Sequence, residues 1–332
     1  MKKIYLLSII CYLLSVLAAC SPKYEKFEYS YPDVFDIDGT LTGYALTAAD
    51  FNAAAREVKL YLWEADRLFD IYNNYDGINN LKTINDNAGI APVTVDPMIT
   101  DLLTFARQAY DGTDGRINVA LGPVLSIWHR YREANENTLP DINALREAAK
   151  LCDINDVVID GDTVFLKKRG MSLDVGALAK GYAAELAIRL ASEGAENCLL
   201  DLGGNVVVRG KPLDGRDHWS IGIMNPGGGD LLDTVPMNDG AVVSSGSYQR
   251  YYTVDGKRYG HIIDPATLMP PDRYEHVSIV CDDSKVGELL STALFIADRE
   301  TGEKLAAEWG ASALWYYADG HVETTDDWKG QR

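Results

Sequence analysis

Helical segments and short β-type runs alternate along most of the chain, and this interleaving limits the fold class more than any other feature. Apolar residues at helical spacing predict a helix over 51–72, and similar patterns predict helices near 97–110, 117–131, 140–151, 177–194 and 285–297. Between them lie β-type runs at Val157–Ile159, Val164–Lys167, Leu199–Leu202, Val206–Arg209, Trp219–Ile223 and Val277–Cys281. Asp255-Gly256 and Asp319-Gly320 each predict the turn of a hairpin. The pattern indicates an α+β fold, most simply one compact domain from about Phe35 onward, with a division into two subdomains left open.

The N-terminus has the pattern of a secretory signal. Lys2 and Lys3 precede an apolar stretch that ends in Leu17-Ala18-Ala19-Cys20. This ending closely resembles a bacterial lipobox, which implies cleavage before Cys20 and lipidation of that cysteine. The alternative is a transmembrane anchor, but the stretch is shorter than the roughly 20 residues that a spanning helix needs. We therefore expect a signal peptide over 1–19, a lipidated Cys20 with a tether over 20–34, and a folded domain over 35–332, anchored on the extracytoplasmic side of a membrane.

The charge balance limits the possible ligands. The chain has 31 Lys and Arg against 49 Asp and Glu, a formal net charge of −18. Nucleic acid is a polyanion that proteins hold with Lys and Arg, so we expect no nucleic-acid partner. An anionic small molecule would need a local device such as a metal ion or a helix N-terminus, because the overall field repels it.

A short motif near the start of the expected domain admits a phosphatase interpretation. Residues 36–40 read Asp-Ile-Asp-Gly-Thr, the DxDGT signature of haloacid-dehalogenase-type phosphatases. That chemistry needs both carboxylates at the end of a buried strand beside a magnesium ion. The preceding residues, Tyr-Ser-Tyr-Pro-Asp-Val-Phe, are not the continuous apolar run that a buried parallel strand shows. This interpretation therefore has little support.

Two helical segments carry polar residues that suit an anion and a cation. Asp174 and Gly176 precede a helix with Lys180 in its first turn, where open N–H groups attract an anion. The alternative is an N-capping aspartate with a solvated lysine. In the second segment, Glu288, Ser291 and Thr292 share one face of an otherwise apolar helix, and their oxygens suit a hard cation such as Mg²⁺. The alternative here is a surface stripe whose hydroxyls bond to the helix backbone.

Two further segments are rich in polar residues. Ser244-Ser245-Gly246 could allow close backbone approach to a ligand. His261 and Asp264 form an acid–base candidate with a possible orienting partner, although a lone histidine near a strand end is more often structural. The segment Asp114–Pro123 has the pattern of a loop that enters a helix and indicates no chemistry alone.

Taken in order, these segments resemble the ApbE family, the FAD:protein FMN transferases. The matches span nearly the whole mature chain: Tyr72 with Asn85, Asp114–Pro123, Leu173–Tyr182, Gly203-Gly204, Ser245–Tyr252, His261–Thr267 and Gly287–Ala293. The resemblance implies one compact ApbE-like, T-fold-related α+β domain with mixed or antiparallel sheets and packed helices. It also implies Mg²⁺-dependent transfer of FMN from FAD to a Thr or Ser hydroxyl of an acceptor protein, such as a membrane redox-pump subunit, with release of AMP.

The same resemblance implies roles for individual residues. Magnesium would be held by the Ala177 carbonyl and by Glu288, Ser291 and Thr292. FAD would be contacted by Tyr72, Arg116, Ile117, Asn118, Asp174, Lys180, Ser245 and Ile262. His261, with Asp264, would take the proton of the acceptor hydroxyl.

The chain departs from the family pattern at several of these positions. Glu288 and Asn118 each stand where the family has Asp, Ser247 also replaces Asp, and Leu268 replaces Gly. An FAD pyrophosphatase using the same site and a non-catalytic flavin-binding lipoprotein are the remaining alternatives.

Overall fold

A computed structural model describes residues 23–248 and 250–331 of the 332-residue chain. The predicted signal peptide and Cys20 lie outside the described residues. Within the described ranges, no helix is both long enough and apolar enough to span a bilayer. The helices are α1 (Ala48–Phe69), α2 (Leu81–Asp86), α3 (Pro97–Gly112), α4 (Gly122–Glu133), α5 (Ile142–Ala149), α6 (Ala179–Ala191), α7 (Ser284–Ile296) and α8 (Arg299–Glu308).

The strands alternate with these helices, as the sequence predicts. They are β1 (Glu25–Val34), β2 (Ile37–Ala45), β3 (Val93–Thr94), β4 (Val157–Asp160), β5 (Thr163–Leu166), β6 (Glu196–Leu202), β7 (Asn205–Arg209), β8 (Trp219–Ile223), β9 (Asp233–Met237), β10 (Asp239–Gly246), β11 (Tyr251–Val254), β12 (Lys257–Gly260), β13 (Tyr274–Cys281), β14 (Ser312–Tyr317) and β15 (Val322–Thr324). Both predicted Asp-Gly hairpins are confirmed, as β11–β12 and β14–β15.

An eight-stranded sheet in the order β1-β2-β6-β7-β10-β13-β14-β15 organises the molecule. Every neighbouring pair in it is antiparallel. Helices α1, α6 and α7 cover one face and bury the main apolar core, while the β8–β9 hairpin covers the other face through Trp219 and Ile221. A smaller apolar cluster around Trp128 joins α4 and α5 to β11 and β12. The predicted α+β fold with antiparallel sheets is confirmed.

The prediction of a tether over 20–34 fails for residues 25–34, which form β1 and pair with β2. Phe27, Tyr29 and Tyr31 alternate along this strand and pack against the main core, and Tyr31 is fully buried. Alternation of this kind is the signal of a strand with one buried face. The domain therefore begins at least ten residues before the predicted boundary at Phe35.

Helix boundaries differ from the predictions where capping residues determine them. Helix α1 begins after Thr47, whose side chain accepts a hydrogen bond from the Asp50 N–H, and it ends before Tyr72, at Asp70. The predicted helix over 117–131 is divided into a short 3₁₀ turn at Val119–Leu121 followed by α4. Helix α7 begins after Asp283, which caps the Lys285 N–H. Side-chain caps of this kind satisfy N–H groups that have no partner inside the helix.

Candidate functional site

Helices α6 and α7 touch at the point where the two predicted polar segments lie. Gly181 of α6 packs against the Ser284 carbonyl and the Cβ of Glu288, both in α7. One turn further along α6, the Glu185 carboxylate accepts a hydrogen bond from the Ser284 N–H at 3.1 Å. Residues later in α6 therefore face residues earlier in α7, so the helices run antiparallel. Ala177 lies in the turn just before the start of α6, and Thr292 lies one turn after Glu288 in α7.

Glu288 is the buried centre of this contact, with 5% of its surface exposed. Its Oε1 lies 3.0 Å from the Lys180 Nζ, and its Oε2 accepts a hydrogen bond from the Asn205 Nδ2 at 2.8 Å. A buried carboxylate costs free energy unless charged or hydrogen-bonding partners compensate for the lost water. Both oxygens of Glu288 have such a partner, so the carboxylate is held in one orientation.

The other predicted metal ligands lie around Glu288. Ala177 sits in the turn before α6, where the N–H groups of the next two residues donate to the Val175 carbonyl. Thr292 is partly buried one turn beyond Glu288, and its hydroxyl makes no hydrogen bond within the described residues. Ser291, unlike Thr292, is fully buried and has hydrogen-bond partners. Its hydroxyl donates to the Glu288 carbonyl at 3.0 Å and lies 2.8 Å from the Ser245 Oγ. Ser291 therefore links Ser245 to α7.

The donor types at this contact fit magnesium. A carboxylate, a hydroxyl and a backbone carbonyl are hard oxygen ligands of the kind that Mg²⁺ prefers, usually beside substrate phosphates and water. Across the described ranges, no group of three or more His, Cys, Asp and Glu side chains could hold a metal. A site with a single carboxylate would thus depend on other oxygens, including those of a bound phosphate.

A cationic and aromatic group lies beside the α6–α7 contact. The Tyr72 ring, 57% exposed, stacks on the His129 ring with 5.3 Å between ring centroids. The His129 Nδ1 lies 2.7 Å from the Arg132 guanidinium, and its Nε2 lies 3.0 Å from Glu133. Because guanidinium can only donate, Nδ1 accepts and Nε2 carries the proton. The predicted FAD residue Tyr72 therefore forms an exposed aromatic platform with a fixed partner.

Asp174 and His261 have strongly perturbed pKa values in this region. Burial raises the pKa of Asp174, while the Gly176 N–H, His129 and Arg132 lower it. Burial, together with the nearby charges of Arg132, Arg250 and Lys180, lowers the pKa of His261 to about 4, although the hydrogen bond with the Arg250 carbonyl acts in the opposite direction. Lys180 thus connects the two halves of the site, since it also pairs with Glu288. Perturbed pKa values that coincide with a charged cluster often mark functional sites.

The predicted partnership of His261 with Asp264 is not what the structure shows. The His261 Nδ1 lies 3.3 Å from the Arg250 carbonyl oxygen. The Asp264 carboxylate accepts hydrogen bonds from the Ala266 N–H at 2.9 Å and from the Thr267 hydroxyl at 3.1 Å, which fixes the following turn. Asp264 therefore has a local role in shaping this turn, and the Arg250 carbonyl orients His261 instead. Ile262, between them, is buried.

The predicted FAD turn of Arg116, Ile117 and Asn118 is held mainly by its own hydrogen bonds. Arg116 donates to the Thr113 carbonyl at 3.0 Å, and Ile117 is buried. The Asn118 side chain accepts from the Ala120 N–H and donates to the Cys152 carbonyl. The turn reaches the site through its backbone, because the Asp174 N–H donates to the Val119 carbonyl at 2.8 Å.

Four residues of this site were not among the candidates from sequence: His129, Arg132, Asn205 and Arg250. His129 and Arg132 are three residues apart on one face of α4, a spacing visible in the sequence but without a partner there to give it meaning. Asn205 directly follows the Gly203-Gly204 pair of the family pattern, which is the one signal that could have identified it.

The phosphatase-like motif begins in the turn between β1 and β2 and continues into β2. Asp36 has a φ of +59° and a side chain that is 82% exposed, 3.8 Å from Arg250. Asp38 belongs to β2, and its carboxylate lies 3.4 Å from the Asp33 nitrogen. An exposed hairpin turn does not provide two carboxylates at the end of a buried strand, so this geometry does not fit the phosphatase interpretation.

Comparison with known sequences gives one consistent family. The ApbE family matches residues 41–315. A protein of Treponema pallidum named FAD:protein FMN transferase is 33% identical over 340 residues, covering 96% of this chain and 92% of its own length. A Klebsiella pneumoniae protein of the same name is 33% identical over 261 residues, covering 74% of this chain and 80% of its own.

Solved structures agree with the sequence comparison. The crystal structure of the ApbE protein from Thermotoga maritima superposes with a TM-score of 0.80 at 27% identity, covering 92% of this chain and 97% of that one. The apo form of the Pseudomonas stutzeri flavinyl transferase ApbE gives a TM-score of 0.76 at 26% identity, covering 91% of this chain and 94% of that one.

Proposed function

Because the chain belongs to the ApbE family, we propose that it transfers FMN from FAD to a Thr or Ser hydroxyl of an acceptor protein and releases AMP in a Mg²⁺-dependent reaction. The observation that carries this proposal is the α6–α7 contact, which brings Lys180 within 3.0 Å of Glu288 beside a cluster of cationic side chains. In a chain with a net charge of −18, this is where a pyrophosphate could bind.

FAD binding would use both halves of the site. The exposed Tyr72 ring, backed by His129, offers a stacking surface for an aromatic ring of the dinucleotide. Lys180 and Arg132 would face the phosphates, and the start of α6 adds the positive end of a helix dipole. Asp174, Ser245, Ile262 and the 116–118 turn line the surrounding walls in this proposal.

Magnesium would be held by the Ala177 carbonyl, the Glu288 carboxylate and the Thr292 hydroxyl. We assign Ser291 a supporting part, because its buried hydroxyl already donates to the Glu288 carbonyl and bonds with the Ser245 hydroxyl. When bound, the ion supplies a positive charge that stabilises the charge developing on the transferred phosphoryl oxygens.

In the proposed reaction, the acceptor hydroxyl oxygen bonds to the phosphorus of the FMN half, and the pyrophosphate bond to AMP breaks. His261 would take the hydroxyl proton. The Arg250 carbonyl can accept a hydrogen bond from His261 only if Nδ1 carries the ring proton, which leaves the lone pair on Nε2. The lowered pKa keeps this nitrogen unprotonated well below neutral pH. Lys180 and Arg132 would hold the phosphates in line for the attack.

The location and partner of the enzyme are part of the same proposal. A lipid on Cys20 would anchor the domain at the outer side of a membrane, where a flavinylated redox-pump subunit would be within reach. The stretch that carries this signal lies outside the described residues, so its support is the lipobox sequence alone.

Mass spectrometry tests the proposed transfer directly. The protein is incubated with FAD, Mg²⁺ and a candidate pump subunit, and the subunit should gain one FMN minus water on a single Thr or Ser. A subunit with that residue changed to Ala is the matched control. A reaction without acceptor separates the alternatives: rapid formation of FMN and AMP would favour a pyrophosphatase. Tight FAD binding without AMP under any divalent metal would favour a flavin-binding protein.

A further inference from the structure

Asn205 connects the proposed metal carboxylate to the interior of the protein. It is the first residue of β7 and is fully buried. Its Nδ2 donates to the Glu288 Oε2 at 2.8 Å, and its Oδ1 accepts from the Ser284 Oγ at 2.8 Å. The amide therefore cannot rotate without losing both bonds. An aspartate in its place could not donate to Glu288, because an ionised carboxylate only accepts.

Ser284 is itself fixed from the opposite side. Its N–H donates to Glu185, which is 1% exposed. Glu185 forms ion pairs with Arg209 at 2.5 Å and with Arg189 at 3.1 Å. Arg209 lies on β7, the strand that also carries Asn205, so the network returns to its starting element. It ties β7, α6 and α7 together through buried polar groups that have partners at each step.

The network determines which oxygen of the Glu288 carboxylate is left available to a ligand. Because Asn205 holds the Oε2 of Glu288, the Oε1 is left to face Lys180 in the first turn of α6. Carboxylates that bind metals are commonly held by such outer hydrogen bonds, and removing one typically weakens metal affinity or activity by about 10- to 100-fold.

We infer that Asn205, oriented by Ser284, is a positioning residue that aims the Glu288 carboxylate at the Mg²⁺ of the transfer reaction. This inference rests on the proposed function and extends it to two residues that would touch neither metal nor FAD. A purely structural role would stabilise the fold without changing the affinity for the metal.

The test compares Asn205→Leu with Thr325→Val. Leucine has the same branching at Cγ as asparagine but neither donor nor acceptor, so it frees Glu288. Thr325 is also buried and its hydroxyl accepts the Ala313 N–H, but it lies at the far edge of the sheet beyond β15. Three quantities are measured for both variants. They are the melting temperature, the Mg²⁺ concentration for half-maximal AMP release from FAD in the presence of the acceptor subunit, and Mn²⁺ binding by electron paramagnetic resonance without FAD.

We expect Asn205→Leu to raise the half-saturating Mg²⁺ concentration and weaken Mn²⁺ binding by about 10- to 100-fold, with much of the rate recovered at saturating Mg²⁺. Thr325→Val should lower the melting temperature and leave both metal readouts unchanged. Equal metal affinities in wild type and a folded Asn205→Leu would overturn the inference. If Asn205→Leu does not fold, Ser284→Ala, which releases the amide but keeps its donor, should shift both readouts in the same direction. No shift in that variant would likewise overturn it.

The two proposals can fail separately. Wild-type protein that binds Mn²⁺ but releases no AMP from FAD in the presence of the acceptor subunit would contradict the proposed function, and the Mn²⁺ readout would still decide the role of Asn205. Wild-type protein that releases AMP with unaltered metal dependence in both variants would contradict only the role of Asn205.

Discussion

Gly181 lies directly against Glu288, so that a methyl group on Gly181 would overlap the Cβ of Glu288 and approach the Ser284 carbonyl oxygen to 2.5 Å. Only a residue without a side chain allows α6 and α7 to approach this closely. The close approach is also what brings the neighbouring Lys180 within 3.0 Å of the Glu288 carboxylate. Glycine at this position in the Ala-Lys-Gly-Tyr segment is thus required for helix packing, and the same packing forms the site.

The first prediction is that Gly181→Ala separates the two helices. Overpacking of this kind typically costs about 1–3 kcal/mol of unfolding free energy, more than the gain in helix propensity of alanine over glycine. We also expect the half-saturating Mg²⁺ concentration for AMP release to rise, because α6 would move away from the Glu288 carboxylate on α7. Urea unfolding and a Mg²⁺ titration check both effects.

Gly302→Ala in α8 is the control for that change. There the added methyl would meet Trp315 at 3.1 Å, a tight contact that a small shift can relieve. Its Mg²⁺ dependence should match that of the wild type. A Gly181→Ala protein with unchanged stability and metal dependence would show that the helices are not held at this distance.

The second prediction concerns the metal ligands themselves. Glu288→Ala removes the only carboxylate of the proposed magnesium set, and we expect AMP release from FAD to fall by more than about 100-fold, beyond the effect of an outer hydrogen bond. Thr292→Ala removes one neutral ligand and should raise the half-saturating Mg²⁺ concentration with a smaller loss of rate. Glu308→Ala, at the exposed end of α8, should have no effect. Full activity in both site variants would remove the magnesium assignment.

The sequence predicts this site well where a motif is contiguous and poorly where partners come from elsewhere in the chain. Lys180 and Glu288 stand in recognisable segments, and the structure brings them into contact. His129 is recognisable only through Tyr72, which it contacts and which is distant in sequence. Asn205 has only its place after Gly203-Gly204 as a local signal, and its role is visible through Glu288, which is also distant in sequence. Asp264 shows the opposite error, because its proximity to His261 in sequence suggested a pairing that the hydrogen bonds of its own turn exclude.

The fold shows the same division between local and long-range information. Helix α7 was predicted to within a residue at each end, since apolar periodicity and the capping Asp283 are local signals. Strand β1 was missed although Phe27, Tyr29 and Tyr31 alternate, because Pro32 and the polar residues between them indicated a tether. Pairing with β2 and burial against α1 decide its structure, and neither is visible along the segment.

The third prediction is a pH dependence set by His261. Its pKa is lowered from 6.5 to about 4, so the neutral form that can accept a proton persists through mildly acidic pH. We expect kcat/KM for transfer to change little between neutral pH and about pH 5.5, and to fall only as pH approaches 4. Rates measured across this range under saturating Mg²⁺ test it. A loss of activity with a midpoint near 6.5 would show that His261 has an ordinary pKa or is not the base.

Protein stability should follow the same titration with a defined sign. Between pH 6.5 and 4 the unfolded chain binds protons at His261 that the native state does not, so the unfolding free energy falls as pH falls. Burial likewise lowers the pKa of His276 to about 4, which adds to the effect. Thermal melts of His276→Phe should separate the loss of stability from the loss of activity. This variant should lose less stability at low pH than the wild type, while its activity profile, which depends on His261, should be unchanged.

The fourth prediction uses Leu268, which stands where the family pattern has glycine. Leu268 has a φ of +62°, a region that costs a non-glycine residue about 1–2 kcal/mol. Its side chain is buried in the Trp128 cluster, and its carbonyl accepts the Trp128 Nε1–H at 2.9 Å. Leu268→Ala and Leu268→Gly both lose this burial, but only glycine relieves the backbone. We expect Gly to be more stable than Ala by about 1 kcal/mol in urea unfolding. The reverse order would mean that the backbone there is not strained.

The fifth prediction tests the corrected start of the domain. A chain beginning at Lys23 keeps β1, whereas a chain beginning at Phe35 loses Tyr31 and Val34, both fully buried, and the hydrogen bond from the Tyr31 hydroxyl to the Ala55 carbonyl. Each buried side chain of this size contributes about 1.5–3 kcal/mol, and the truncation also leaves β2 as an unpaired edge. We expect the longer chain to be monodisperse with a cooperative thermal transition, and the shorter one to aggregate or to melt at a much lower temperature. Equal melting temperatures would show that residues 25–34 are a tether after all, and that the sheet is complete with β2 at its edge.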